Sequence, residues 1–278
     1  MRSPHNQPSS AGSTGHDGTV HGSHFVRTFE RGLSVIRAFG RETPELTLSE
    51  VARATGLDRA TVRRLLLTLV DLGYVQTDGR RFSLRPRVLD LGYAYLSSIS
   101  LPEVAEPHLE RLVEEVHESS SVAVLDGRDI VYVARVPVSR IMTVAISVGT
   151  RFPAYATSLG RVLLAGMTEP ELDTYLGSGE LEKLSPHTIT DRAELLTELE
   201  EVRSRGWVIV DQELAEGLRS VAAPIRDRSG QVVAAVNTSG QAVRWTPEAM
   251  EQKLLPPLLA TAAAIEADLQ RTDAAARR

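Results

Sequence analysis

The chain has 278 residues, with 31 Lys and Arg against 36 Asp and Glu, for a formal net charge of −5. That length suits about two domains. No stretch approaches the roughly 20 apolar residues that span a bilayer, and the absence of cysteine excludes a disulfide framework, a thiol nucleophile and a thiolate-held metal. Charge is spread unevenly: residues 27–87 hold 12 Arg and 7 acids (+5), residues 1–26 hold one of each (0), and residues 88–278 hold 18 basic and 28 acidic residues (−10). A basic module joined to an acidic one points to a polyanion partner for the first part alone.

Residues 1–24 are rich in Ser, Gly, His, Asn and Pro and poor in large apolar side chains, the composition of a disordered tail. The tail has no apolar stretch of the kind a signal peptide carries, so a cytoplasmic protein without membrane association is expected. His16, His21 and His24 lack the carboxylate or thiolate support and rigid frame of a metal site, and neither metal nor cofactor is expected.

Order begins near Phe25. In FVRTFERGLSVIRAFG, Phe29, Leu33, Ile36 and Phe39 recur at helical spacing and Gly40 can end the helix. Ser49 is placed to cap EVARATG, and Gly56 to end it with a positive φ. Asp58 can cap a third helix running to about Leu72, before Gly73. GYVQTDGRRFSLRP reads as strand, Asp-Gly turn and strand, and Pro86 suits the first turn of a fourth helix, RVLDLGYAYLSSI. Helix, helix, turn, helix, hairpin is the order of a winged helix-turn-helix, here over residues 25–86, with a linker helix at 87–101. Ala52 is small where the two helices of the motif cross, Val62 faces the earlier helix, and Val51, Leu57 and Leu65 add core.

On a wheel of about 100° per residue, Val62, Leu65, Leu66 and Leu69 share one face of the third helix, and Ala60, Arg63, Arg64 and Leu67 the other, flanked by Arg59 and Thr61. A small alanine beside guanidinium groups lets a helix approach base edges, where arginine donates two bonds to guanine. Ser49 joins this set as a contact from the preceding helix. Arg80 and Arg81 at the wing turn, with Arg85 and Arg87 beyond, suit phosphates, which position a domain without reading sequence.

Residues 102–278 read as an amphipathic helix, strands SVAVLDG, DIVYVARV and IMTVAISVG, a short helix SLGRVLLAGM, two further helices, strands WVIVDQE, RSVAAPIRD and QVVAAVNTSG, and a terminal helix capped by Thr246 and broken at Pro256-Pro257. Strands in the middle and helices at both ends make an α+β, sensor-like domain. GxSxG, P-loop and GxGxxG motifs are absent. Ser158, His187 and Asp211 are triad residue types that nothing in the sequence brings together, and His108 and His117 are spaced wrongly for a shared metal.

PAYATSLGR places hydroxyls and backbone N–H groups at a helix start, suited to a carboxylate; Thr157 there either caps the helix or meets a ligand. Gly160 leaves room for a ligand near the backbone, and Arg161 can pair with an acidic ligand or with Asp211. Asp211 and Glu213 alternate on a strand and so face one side, to hold a hydroxyl or form a salt bridge.

FERGLSVIRAFG, the helix-turn-helix, YVQTDGRRFSL, VLDLGYAYL, ISVGTRFPAYATSLGRVLLAG and GWVIVDQELAEGLRSVAAPIRDRSG resemble the IclR family of bacterial transcriptional regulators over about residues 25–271. PAYATSLGRVLLA is most similar to the PcaR/PcaU/PobR subgroup, which regulates aromatic-acid catabolism through protocatechuate, 4-hydroxybenzoate or β-ketoadipate. The resemblance implies a winged-helix dimer or tetramer on double-stranded operator DNA and a GAF-like effector-binding domain for a small organic acid. It also implies a pocket lined by Met142 and Val144, by Tyr155, Ala156, Thr157, Ser158 and Gly160, and by Asp211, Glu213, Leu218, Ser220 and Asn237. Some members carry Cys where Ser220 stands here. The competing reading is a metabolite-binding protein or enzyme whose N-terminal module serves assembly rather than DNA.

Overall fold

The structure is a computed structural model that describes residues 24–40, 42–96, 101–138 and 146–276. Residues 1–23, with most of the expected tail, and the expected strand residues 141–145, with Met142 and Val144, lie outside the described residues. The chain divides into two compact units, residues 1–94 and 95–278.

The first unit runs α1 (Arg27–Arg37), β1 (Glu45–Thr47), α2 (Leu48–Thr55), α3 (Arg59–Asp71), β2 (Val75–Thr77) and β3 (Arg81–Leu84); a short 3-10 turn at Pro86–Val88 then leads into α4 (Leu89–Leu96). The three strands form an antiparallel sheet in the order β1-β3-β2. Val35, Val51, Val62, Leu66 and Val75 form the core where the three helices meet that sheet. Asp58 Oδ1 accepts the Thr61 N–H at 2.9 Å, capping α3, and Gly56 closes α2 at φ 67°.

Two sequence expectations shift here. The cap of α2 is Thr47, not Ser49: Glu50 Oε2 accepts the Thr47 N–H at 2.7 Å, and Thr47 Oγ1 accepts the Glu50 N–H at 3.4 Å. The reason is β1, which the sequence did not announce. Its pairing with β3 holds Thr47 extended (φ −77°, ψ 162°), so that Thr47 itself caps the helix and Ser49 falls inside the first turn. On α1 the buried residue is Val35, with Phe39 buried just past the helix end, while Phe29 is 68 % exposed.

The second unit is a six-stranded antiparallel sheet in the order β6-β5-β4-β9-β8-β7. Its elements are α5 (Leu101–Val116), β4 (Ser119–Asp126), β5 (Asp129–Val136), β6 (Arg151–Pro153), α6 (Ser158–Ala165), α7 (Glu169–Gly177), α8 (Arg192–Arg205), β7 (Val208–Asp211), β8 (Leu218–Arg226), β9 (Val232–Gln241), α9 (Pro247–Lys253) and α10 (Leu255–Ala276). Because side chains alternate across a strand, each strand serves two cores. Ala123, Tyr132, Ala222 and Ala235 pack with α6, α7 and α8; Val122, Val221, Val236 and Ile225 pack with α5 and α10. The terminal helix breaks at Leu254, so that Pro256 and Pro257 sit in the first turn of α10, where no intrahelical N–H bond is lost.

Candidate DNA interface and effector site

On α3, Val62 and Leu66 are fully buried and Leu69 nearly so. Arg59, Ala60, Arg63, Arg64 and Leu67 are exposed, and Thr61 is half-buried at the flank. Ser49 is half-buried. The wing turn at Asp78-Gly79 exposes Arg80, Arg81 and, after β3, Arg85. The neighbouring acids are occupied by backbone N–H groups: Glu50 accepts the Thr47 N–H, Asp58 caps α3, and Asp78 Oδ1 accepts from Arg80 N at 2.8 Å and Arg81 N at 2.7 Å. Those backbone bonds hold all three carboxyls below the usual carboxylate range. The arginines of helix and wing therefore offer their charge outward, as a phosphate-bearing partner requires. Arg87 does not belong with them: it donates to the Leu72 carbonyl at 3.0 Å and lies 5.5 Å from the centre of the Tyr74 ring, tying the fourth helix's entry to the end of α3.

In the second unit the segment Ala154–Gly160 is buried throughout. Thr157 Oγ1 accepts the Gly160 N–H at 3.0 Å and caps α6. The next hydroxyl, Ser158, accepts from Ser220 Oγ at 2.8 Å, joining α6 to β8. Tyr155 turns its hydroxyl to the Glu182 carbonyl at 2.7 Å, and burial pushes its pKa up. Leu218 opens β8, half-buried, opposite Gln241.

Gly160 has a different reason from the one its sequence suggests. A Cβ there would overlap the Ala154 carbonyl group, so the missing side chain makes room for the chain's own backbone rather than for a ligand. The acidic pair also separates. Asp211 takes Arg219 through both carboxylate oxygens, at 2.8 and 2.6 Å; Glu213 takes Arg161 at 2.6 Å. β7 ends at Asp211 and Gln212 adopts φ 60°, which breaks the alternation that would have put both acids on one side. Ser158, His187 and Asp211 do not form a triad: Ser158 is bonded to Ser220, Asp211 to Arg219, and the His187 backbone N–H goes to Ser185 Oγ at 3.1 Å. His108 bonds Asp268 at 2.8 Å and Arg111 at 2.7 Å, a link between α5 and α10.

The sheet face toward α6 grades from apolar to polar. One cross-strand row reads Tyr132–Ala123–Ala235. The next reads Arg135–Ser121–Asn237–Ala222, and the third Ser119–Ser239–Ser220. Arg135 Nη1 donates to Ser121 Oγ at 3.1 Å and Asn237 Nδ2 to Ser239 Oγ at 3.1 Å. Arg135 Nε and Asn237 Oδ1 are buried with no hydrogen-bond partner among the described residues. Desolvation pulls the Arg135 pKa down. Arg135, Ser121 and Ser239 were missed by sequence reasoning. Strict alternation from Tyr132 would send Arg135 to the opposite face, but Val133 is inserted as a bulge between the pairs Ala123–Tyr132 and Val122–Ala134 and returns Arg135 to the polar row. A lone arginine inside DIVYVARV was the one signal available.

A family model described as "IclR helix-turn-helix domain" matches residues 28–79, and "Bacterial transcriptional regulator IclR C-terminal" matches residues 93–267. The chain is 47 % identical to the Pca regulon regulatory protein of Pseudomonas putida, over 85 % of this chain and 81 % of that one. The crystal structure of a putative transcriptional regulator from Rhodococcus sp. RHA1 is 59 % identical, with TM-score 0.80, over 89 % of this chain and all of that one. An IclR homologue from Microbacterium hydrocarbonoxydans, solved in complex with 4-hydroxybenzoate, is 25 % identical with TM-score 0.77, over 88 % of this chain and 99 % of that one. With both family models and these likenesses in place, the chain belongs to the IclR family of bacterial transcriptional regulators.

Proposed function

We propose that this regulator controls genes of aromatic-acid catabolism and that a small organic acid of the protocatechuate, 4-hydroxybenzoate or β-ketoadipate class, bound in the second unit, sets its affinity for double-stranded operator DNA. It works as a cytoplasmic dimer or tetramer. Arg59, Ala60, Thr61, Arg63 and Arg64 face the bases, Ser49 supports them from α2, and Arg80, Arg81 and Arg85 take phosphates. The observation that carries the effector reading is the polar end of the sheet, where buried Ser158 and Ser220 are bonded to each other and buried Asn237 shares a cross-strand row with Ser121 and Arg135. The likeness to a homologue solved with 4-hydroxybenzoate and to a Pca regulon regulator supports the chemical class. Among the described residues no helix is long and apolar enough to cross a membrane, in keeping with a protein that meets DNA.

An acid can regulate only by binding one conformation better than the other, and a coupling of about 1–3 kcal/mol, or roughly 5–150-fold in operator affinity, is typical. The test is a gel shift on the DNA flanking the gene, titrated with the three acids. A shift that changes with one of them supports the proposal. Acid binding by calorimetry with no DNA retention would instead favour an assembly role for the first unit.

A further inference from the structure

We infer that Arg135 is the carboxylate anchor of the effector site and that Asn237 receives an oxygen substituent at the ligand's far end; the inference rests on the acid-binding reading above. Three observations converge. Arg135 is a cation drawn into a half-buried position on an apolar strand, where its only side-chain bond among the described residues goes to a neutral hydroxyl, Ser121. A guanidinium held in this way, with Nε buried and unpartnered, lacks the anion that would offset its desolvation. On the same row, two strands away, Asn237 is 4 % exposed and uses one polar atom on Ser239 while the other, Oδ1, has no partner among the described residues. Native interiors rarely leave such groups unmet, so each calls for a partner.

The two residues stand about 10 Å apart along the sheet, two interstrand spacings, with Ser121 between them. That strand spacing is comparable with the length of one ring bearing a carboxylate, or of a short carbon chain. Tyr132, Ala123 and Ala235, on the adjoining row, supply the apolar floor. At the start of α6, the place the sequence suggested for the carboxylate, both hydroxyls are engaged, Thr157 with the Gly160 N–H and Ser158 with Ser220, whereas Arg135 brings a full positive charge with no anion among the described residues. The acid end therefore belongs at Arg135.

The experiment is calorimetry of the full chain with 4-hydroxybenzoate, protocatechuate and β-ketoadipate, the two ring acids each compared with benzoate, which lacks the ring hydroxyls. Losing one charge-assisted bond predicts that Arg135→Gln weakens whichever acid the parent binds roughly 10–150-fold, with Arg135→Lys recovering part of the loss. Asn237→Leu should weaken the hydroxylated ring acid about 2–10-fold and leave benzoate unchanged. Should the parent bind none of these acids, the acid-effector reading itself fails. Should the parent bind one and Arg135→Gln bind it equally well, the effector reading stands and the anchor is wrong.

Discussion

Arg161, 0 % exposed, donates through Nη2 to Glu213 at 2.6 Å, and the same carboxylate oxygen accepts the Ile189 N–H at 2.9 Å. One buried pair thus joins α6, the segment before α8 and the end of β7. Burial raises the Glu213 pKa although the Arg161 charge opposes it. Removing one member leaves an uncompensated buried group, so Glu213→Ala should cost about 3–5 kcal/mol, whereas Arg161→Met with Glu213→Leu should recover much of that. Both tryptophans, Trp207 and Trp245, lie in the second unit, so urea unfolding followed by fluorescence reads it directly. A double variant less stable than Glu213→Ala would contradict this account.

Gly160 carries a second prediction. Its absent Cβ would meet backbone, not a movable side-chain end, so Gly160→Ala should destabilise by about 1–3 kcal/mol or more through overpacking. Gly177, at the end of α7 with no atom within 4 Å of where a methyl group would stand, serves as the control: Gly177→Ala should be neutral or stabilising by up to about 1 kcal/mol. Thermal melts of the two variants should move apart; equal melts would remove the close-approach argument.

For DNA, Arg63→Ala should lose about 1–3 kcal/mol and relax preference at one base position, because Arg63 stands on the exposed face of α3. Arg80→Ala should weaken all sequences alike and reduce the salt slope by about one. Binding curves at several salt concentrations on operator and scrambled DNA distinguish the two roles. Unchanged operator affinity in both variants would reject the groove assignment.

The Asp211–Arg219 pair predicts a pH dependence. Hydrogen bonding from Arg219 holds the Asp211 carboxyl below its ordinary value. A lowered folded-state pKa gives stability that is present above the unfolded value near 4 and is lost as pH falls through the folded one. Parent and Asp211→Asn should therefore differ in urea midpoint at pH 7 and converge below about pH 4. A gap that widens on acidification would mean the sign is wrong.

Self-association can be tested at the first unit's exposed apolar groups. Val26, just before α1, and Phe29 on it stand 63 % and 68 % exposed, and Leu89 and Leu91 on α4 are exposed as well. Of the other apolar groups the sequence offers near α4, Val88 is half-buried, the Tyr95 side chain and Ile99 lying outside the described residues. A dimer through these groups would set two recognition helices about 34 Å apart, one turn of DNA, or a multiple of it. In sedimentation of the full chain, Phe29→Asp with Leu91→Asp should shift mass toward monomer. A variant that sediments as the parent does would place the contact elsewhere.

What the sequence determined by itself was local. Asp58 caps α3, Gly56 takes the left-handed turn, Asp126-Gly127 makes its tight turn, and the basic face of α3 follows from a 3.6-residue period. Each depends on backbone atoms only a few residues away, so a short window suffices. The family motifs were legible for the same reason, as contiguous runs. Tertiary pairing decided the rest. The β1–β3 ladder moved the α2 cap from Ser49 to Thr47. The positive φ of Gln212 sent Asp211 and Glu213 to different arginines. The Ala154 carbonyl, brought in by the turn before α6, claimed the space at Gly160. The inserted Val133 turned Arg135 onto the face that carries Asn237, a residue about 100 positions later. A one-residue slip in a strand exchanges its two faces, and only the register between strands distant in sequence sets where that slip falls.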